Sequence, residues 1–194
     1  MSRASPAMLH FPEAPRSLWG SASNCEDVQQ FLTHVLQWRE ATLQWLDGPA
    51  RPLTPELARL LRWCLSTHPE RPLSVPPYRL MSFPAQLDVM SVRAPAPCEQ
   101  VRQWGLDAMR WRAHVVDFLA DVWDTVGKPL FDMEECGYAT DELLMPSPAP
   151  GIRFCPDCLE RFPEPDTNGR LREHYGSCPV RRMLDQPEGA KSQT

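Results

Sequence analysis

The chain has 194 residues, of which 42% are hydrophobic, and its formal net charge is -5 at pH 7. This length has room for one ordinary domain and a small module, and the apolar content is sufficient for a packed core. A mildly acidic chain is not expected to coat nucleic acid electrostatically, although a local basic patch is compatible with it.

The N-terminal sequence predicts no secretory signal, because it has several prolines and no apolar run of sufficient length. No uninterrupted apolar stretch is long enough for a transmembrane helix, so no membrane partner is expected. The seven cysteines are an odd number, and three of them fall in one short segment. This pattern favours a metal site in a reducing compartment over a secreted disulfide framework, and predicts an intracellular location, cytoplasmic or nuclear.

Residues 1–23 are rich in Pro, Ser and Ala and are predicted to be loosely ordered. A helical domain is predicted over residues 24–145. Its first helix follows Asn24, an N-cap with Asp27 three residues later, and ends at Asp47-Gly48-Pro49. The apolar residues of this helix, at helical spacing, are Val28, Phe31, Leu32, Val35, Leu43 and Leu46.

A second helix is predicted from Thr54 as N-cap and Pro55 at the first helical position, and His68-Pro69 ends it. Residues 69–97 contain seven prolines, which predicts a long irregular connection. A short strand is expected within it, around residues 86–92.

The longest helix is predicted from about Cys98 to Val126. Its apolar stripe consists of Val101, Trp104, Ala108, Trp111, Val115, Phe118, Leu119, Val122 and Val126. The Pro-rich run at residues 146–150 predicts a linker to a small module at 151–184. The polar tail, 185–194, is predicted to be disordered.

Four residues of this module have the spacing of a metal site. Cys155 and Cys158 are three apart, as in a metal knuckle, and His174 and Cys178 are four apart, so that on a helix they would share one face. Thiolate and imidazole are the ligands of structural zinc, and four protein ligands leave no position for a water molecule. The sequence therefore predicts one structural zinc ion and no catalytic residue. Four arginines are expected to offset its negative charge: Arg153, Arg161, Arg170 and Arg172.

Phe162 and Leu171 lie where a ββα finger places its small apolar core. With the four ligands, this pattern resembles the C2HC zinc fingers, and most nearly the type-4 ubiquitin-binding zinc finger of DNA-damage-response proteins. The resemblance covers only the C-terminal module, and it implies a ββα-like fold with ubiquitin as a partner. That family is expected to have an acidic residue two before the histidine and a small residue two after it. Gly176 matches the second position, whereas Arg172 reverses the charge at the first.

The leading interpretation is an all-α N-terminal domain with Pro-rich connections, joined to a small C-terminal ββα-like zinc finger. The expected function is that of a non-catalytic intracellular interaction protein whose finger recognises ubiquitin or another protein. The predicted partner-binding residues are Arg170, Arg172, Glu173, Tyr175, Arg181 and Arg182.

Two alternatives stay open. The first is a nucleic-acid-binding regulator that uses the arginines around the finger, and the second is an enzyme in the helical domain, which no catalytic motif supports. The remaining cysteines, Cys25, Cys64, Cys98 and Cys136, have no metal spacing, and Cys64 is expected in the core.

Overall fold

The computed structural model describes residues 9–20, 25–48, 53–67, 82–88, 96–122, 134, 137–147, 149–163 and 167–185. This part of the chain is mostly helical and has one two-stranded sheet, as expected. Among the described helices, none combines the length and the hydropathy needed to cross a membrane.

Three main helices lie where the sequence predicts them: α1 at Cys25–Asp47, α2 at Pro55–Leu65 and α4 at Cys98–Val122, with a short helix, α3, at Ala85–Asp88 before the last of them. The predicted cap of α2 is confirmed, because the Thr54 hydroxyl accepts a hydrogen bond from the Leu57 backbone N–H at 3.3 Å. The expected continuation of α4 to Val126 falls outside the described residues, as does the predicted tail beyond residue 185.

The predicted strand around residues 86–92 is wrong in its first part, where Ala85–Asp88 form the short helix α3. The backbone N–H of Leu87 donates to the Pro84 carbonyl at 3.0 Å, and the Leu87 side chain is fully buried. Proline favours the first turn of a helix, since it has no N–H to satisfy there. Residues 89–92 lie outside the described part of the chain.

Helices α1 and α4 pack against each other and form the centre of the core. The indole rings of Trp38 and Trp111 meet edge to face, with centroids 6.1 Å apart. Phe11 and Leu18 complete this core with exposures of 1% and 0%. Both belong to the segment predicted to be loosely ordered, so its residues 9–20 are instead packed against the helices, because two large apolar side chains are buried there.

The C-terminal part begins with an antiparallel pair of strands, β1 at Ile152–Phe154 and β2 at Arg161–Pro163. Two helices follow, α5 at Thr167–Tyr175 and α6 at Pro179–Asp185. Helix α6 packs on α4.

Cys178 and Pro179 are placed differently from expectation. His174 lies in the last turn of α5, while Cys178 lies after the end of that helix. Pro179 begins α6 instead of ending a helix shared by the two ligands. The physical reason is that proline is favoured at the first position of a helix as well as beyond its end.

The apolar core runs continuously from the helical domain into the C-terminal part. Leu159, Phe162 and Val180 belong to the same cluster of buried side chains as the core of α1 and α4. That residues 146–150 separate two independently folding units stays a prediction of the sequence, and this continuous core favours joint unfolding instead.

Candidate metal centre

The four predicted ligands come together in space. One donor atom from each of Cys155, Cys158, His174 and Cys178 lies within 4.8 Å of the others. The Sγ atoms of Cys155 and Cys178 are 3.8 Å apart, and the Sγ of Cys158 is 3.1 Å from Nε2 of His174. Two sulfurs on a tetrahedral zinc, with Zn–S bonds of about 2.3 Å, would be about 3.8 Å apart, whereas a disulfide needs about 2.05 Å. The cluster could therefore hold one metal ion, as the sequence predicts.

The first two ligands lie in a tight loop that extends the β1–β2 pair, residues 155–160, called here the knuckle loop. The backbone N–H of Cys155 donates to the Glu160 carbonyl at 2.9 Å, and the N–H of Leu159 donates to the Cys155 carbonyl at 2.9 Å. Leu159 adopts a φ of 60°, in the left-handed region that glycine favours. This turn lets Cys155 and Cys158 contribute to one cluster, and both are fully buried.

The other two ligands flank the turn between α5 and α6. The backbone N–H of Ser177 donates to the His174 carbonyl at 2.8 Å, which tightens the chain after α5. The carbonyl of Cys178 accepts from the Arg182 N–H at 3.1 Å, so Cys178 occupies the position just before the first residue of α6, Pro179. A sulfur at a helix N-terminus is well placed to be a thiolate.

The three thiols influence one another's ionisation. Hydrogen bonds from Cys155 and Cys158 lower the pKa of Cys178, and backbone N–H groups of Val180 and Arg181 act in the same direction. Hydrogen bonds with Cys155 and Cys178, together with burial, raise the pKa of Cys158. Without a metal ion the cluster thus favours one thiolate, at Cys178. A bound cation would favour deprotonation of all three, since thiolate is the form that binds metal.

His174 has a second polar partner that the sequence did not suggest. Its Nδ1 lies 3.3 Å from Oε2 of Glu160, and its ring centroid lies 5.1 Å from that of Phe162. One ring nitrogen therefore faces the sulfurs while the other meets a carboxylate. Because Glu160 and His174 meet only when β2 packs on α5, no spacing rule could have paired them.

A buried arginine reaches the knuckle loop from the helical domain. Arg112, in α4, is 0% exposed, and its guanidinium donates to the carbonyls of Pro156 and Asp157, the second at 3.3 Å. It also donates to the Leu144 carbonyl and to Sδ of Met145. Burial lowers the pKa of Arg112 to about 10, although nearby Asp157 and the cysteines oppose the shift. Arg112 is therefore still a cation at neutral pH.

A second arginine bridges the loop to α4 through two carboxylates. Arg181 donates from Nε and Nη2 to the two carboxylate oxygens of Asp157, at 3.2 and 2.9 Å, and from Nη1 to Asp117 at 3.4 Å. Burial raises the pKa of Asp157, while Arg181 acts against this increase. Asp157 is only 3% exposed, so this bidentate pair compensates a carboxylate that has little access to water.

The predicted partner-binding residues divide into two groups. Five are exposed: Arg170, Arg172, Glu173, Tyr175 and Arg182. The sixth, Arg181, is partly buried in the ion pairs with Asp157 and Asp117.

Two arginines outside the predicted set of four lie next to the cluster and can offset its charge, while the role predicted for Arg153, Arg161, Arg170 and Arg172 stays a prediction. Arg112 and Arg181 contact the knuckle loop, whereas Arg161 pairs with Glu13 at 2.7 Å. Sequence reasoning missed Arg112 because it is distant from the ligands along the chain and resembles any other arginine of a long helix.

Comparisons with protein-family models, with curated proteins and with solved structures give no match to this chain. The donor set agrees with a site of the C2HC type, but no family match supports the type-4 ubiquitin-binding finger.

Proposed function

We propose that this chain is a non-catalytic interaction protein in which one structural zinc ion fixes a recognition surface. The observation that carries the proposal is the four-donor cluster of Cys155, Cys158, His174 and Cys178, whose three cysteines are fully buried. A set of three thiolates and one imidazole suits zinc, and four protein ligands complete its tetrahedron. Such a site stabilises a fold and leaves no position for a reacting water.

The surrounding charges support a stable zinc site. Three thiolates and a neutral imidazole around Zn²⁺ carry a net charge of about -1, and the buried Asp157 adds a further negative charge. The cations of Arg112 and Arg181, which contact the knuckle loop, offset both. Buried charges are tolerated when they are paired and hydrogen-bonded in this way.

The recognition surface that we propose is the outer face of α5, formed by Arg170, Arg172, Glu173 and Tyr175. All four residues are exposed, and Tyr175, at 43% exposure, is a large apolar ring open to solvent. Tyrosine and arginine are the side chains most often found at the energetic centre of protein interfaces. Two arginines against one glutamate favour an acidic protein segment as the partner.

The nucleic-acid alternative has less support. Of the arginines that it would use, Arg181 is engaged with Asp117 and Asp157. An arginine that is held in such ion pairs cannot also neutralise a phosphate, and a smaller number of phosphate-binding cations lowers both the affinity and its salt dependence. Ubiquitin stays a candidate, although Arg172 stands where the ubiquitin-binding fingers are expected to have an acidic residue.

Two measurements test the proposal. Native mass spectrometry of the full chain should find one zinc ion, and Cys155→Ala should lose it. Quantitative affinity enrichment should then find proteins that bind wild type and the Arg59→Ala control but are depleted with Arg172→Ala. Arg59 is the control because it is an exposed arginine on a different helix, α2.

Each unfavourable outcome has a distinct meaning. Wild-type protein without metal would refute the structural zinc. If Arg172→Ala still bound the same partners as wild type, the outer face of α5 would not be the recognition surface. Binding of ubiquitin by Arg172→Asp, but not by wild type, would show that the module has the scaffold of a ubiquitin-binding finger with its charge reversed.

A further inference from the structure

The contacts of Arg112 join two parts of the chain that the sequence separates. Its guanidinium donates to the carbonyls of Pro156 and Asp157, which are the two residues between Cys155 and Cys158. A buried arginine is strongly unfavourable unless its donors are satisfied. The helical domain thus needs the knuckle loop as a source of hydrogen-bond acceptors.

The position of this guanidinium is fixed from outside the knuckle loop. It donates to the Leu144 carbonyl and to Sδ of Met145, and it lies 5.5 Å from the centre of the Phe11 ring. These partners hold Arg112 whether or not the cysteines bind a metal. The Arg112 guanidinium is therefore already positioned to orient the knuckle loop and to offset the charge of the thiolates when a metal ion binds.

A second connection lies further along α4, where Asp117 pairs with Arg181, which also holds Asp157. Val180, next to Arg181, is fully buried. The knuckle loop and α6 therefore dock on α4 at two points, Arg112 and Asp117. The paired charges of Arg181 thus link the loop directly to α4.

We propose that Arg112 is a positioning residue of the metal centre and that it couples metal occupancy to the packing of the helical domain. The inference rests on the zinc site of the proposed function. A metal ion pins Cys155 and Cys158 together, which keeps the carbonyls between them aimed at the guanidinium. When the metal leaves, this restraint disappears, and the buried guanidinium loses the Pro156 and Asp157 carbonyls as well-placed acceptors while it keeps the Leu144 carbonyl. Coupling between two equilibria is reciprocal. If bound zinc stabilises the contacts of Arg112 with the knuckle loop by a certain factor, those contacts must increase the affinity for zinc by the same factor.

The first test measures zinc affinity of the full chain by competition with a chromophoric chelator. Arg112→Met should weaken zinc binding by about 10- to 100-fold, the usual effect of removing a partner that orients a metal ligand. Arg112→Lys should recover part of this affinity, since it retains the charge but not the forked set of donors. The control is Leu57→Ala, which removes a fully buried side chain from α2 and should lower the melting temperature while leaving zinc affinity within about twofold of wild type.

The second test measures how zinc affects the stability of the helices, followed by circular dichroism. Chelation of zinc from wild type should lower the melting temperature of the helical signal, and this shift should be smaller in Arg112→Lys. If Arg112→Met does not fold, the inference is tested by the zinc affinity of Arg112→Lys and by the chelation experiment on wild type. Wild-type zinc affinity in Arg112→Lys, or a helical melting temperature that chelation leaves unchanged, overturns the inference while the zinc site stands. Wild-type protein that holds no zinc overturns both.

Discussion

Nδ1 of His174 lies 3.3 Å from Oε2 of Glu160, while Nε2 of the same ring faces Sγ of Cys158 at 3.1 Å. The two nitrogens therefore have different roles. A carboxylate that accepts a hydrogen bond from Nδ1–H leaves Nε2 as the ligating nitrogen, fixes the orientation of the ring and raises the basicity of the ligand.

We predict that Glu160→Gln weakens zinc binding about tenfold, because an amide keeps the size of the carboxylate but not its charge. The measurement is competition with a chelator on the full chain. Glu173→Gln is the matched control, since Glu173 is an exposed glutamate on α5 with no place in the cluster. Equal zinc affinities in the two variants would show that Glu160 does not support the ligand.

The four-residue cluster that could hold a metal ion and the main helices could be predicted because their signals are local. The spacing of Cys155 and Cys158 is enough to indicate a knuckle. The periodicity of α1, α2 and α4 indicates helices, and the predicted N-caps Asn24 and Thr54 indicate where the first two begin. Arg112 and Glu160 could not be found in this way. Their roles arise only when α4 meets the knuckle loop and β2 meets α5, contacts that no spacing in one sequence encodes.

Two features of the local sequence were compatible with more than one structure. The four-residue spacing of His174 and Cys178 fits one helix, but Pro179 is equally compatible with the start of a new one, and the structure has the second arrangement. Likewise, the Pro, Ser and Ala content of residues 1–23 suggested loose order, yet Phe11 and Leu18 supply enough apolar surface to hold residues 9–20 on the core.

We predict that Gly105→Ala destabilises the protein although alanine is the better helix former. In a helix interior this exchange should stabilise by about 1 kcal/mol. A Cβ at Gly105, however, would lie 2.7 Å from Cδ1 of Leu18 and 3.0 Å from Cγ1 of Val28, and overpacking of a core costs about 1–3 kcal/mol. Gly169→Ala in α5 is the control, because nothing lies within 4 Å of its Cβ position. Urea unfolding should show a lower free energy of unfolding for Gly105→Ala and a higher one for Gly169→Ala. If both variants were more stable than wild type, Leu18 and Val28 would be able to move aside without a loss of packing energy.

Cysteine reactivity should distinguish the core, the surface and the metal centre. Burial raises the pKa of Cys64 to about 12, and its side chain is 1% exposed, whereas Cys98 is exposed. Because only thiolates react, iodoacetamide at pH 8 should modify Cys98 quickly and spare Cys64. Cys155 and Cys178 should react only after zinc is chelated. Peptide mass spectrometry over time measures all four, and labelling of Cys64 as fast as Cys98 would contradict its placement in the core.

The last prediction concerns Leu159, which is 2% exposed and has a φ of 60°. Burial of a leucine contributes about 2–5 kcal/mol relative to alanine, while a left-handed conformation costs a residue with a Cβ about 1–2 kcal/mol. Burial outweighs strain, so Leu159→Gly and Leu159→Ala should both lower the free energy of unfolding of the zinc-loaded protein. The glycine variant should nevertheless be more stable than the alanine variant by about 1 kcal/mol, the reverse of their order in a helix. Chemical denaturation at saturating zinc compares the two, and an alanine variant equal to or more stable than the glycine variant would mean that this turn is not strained.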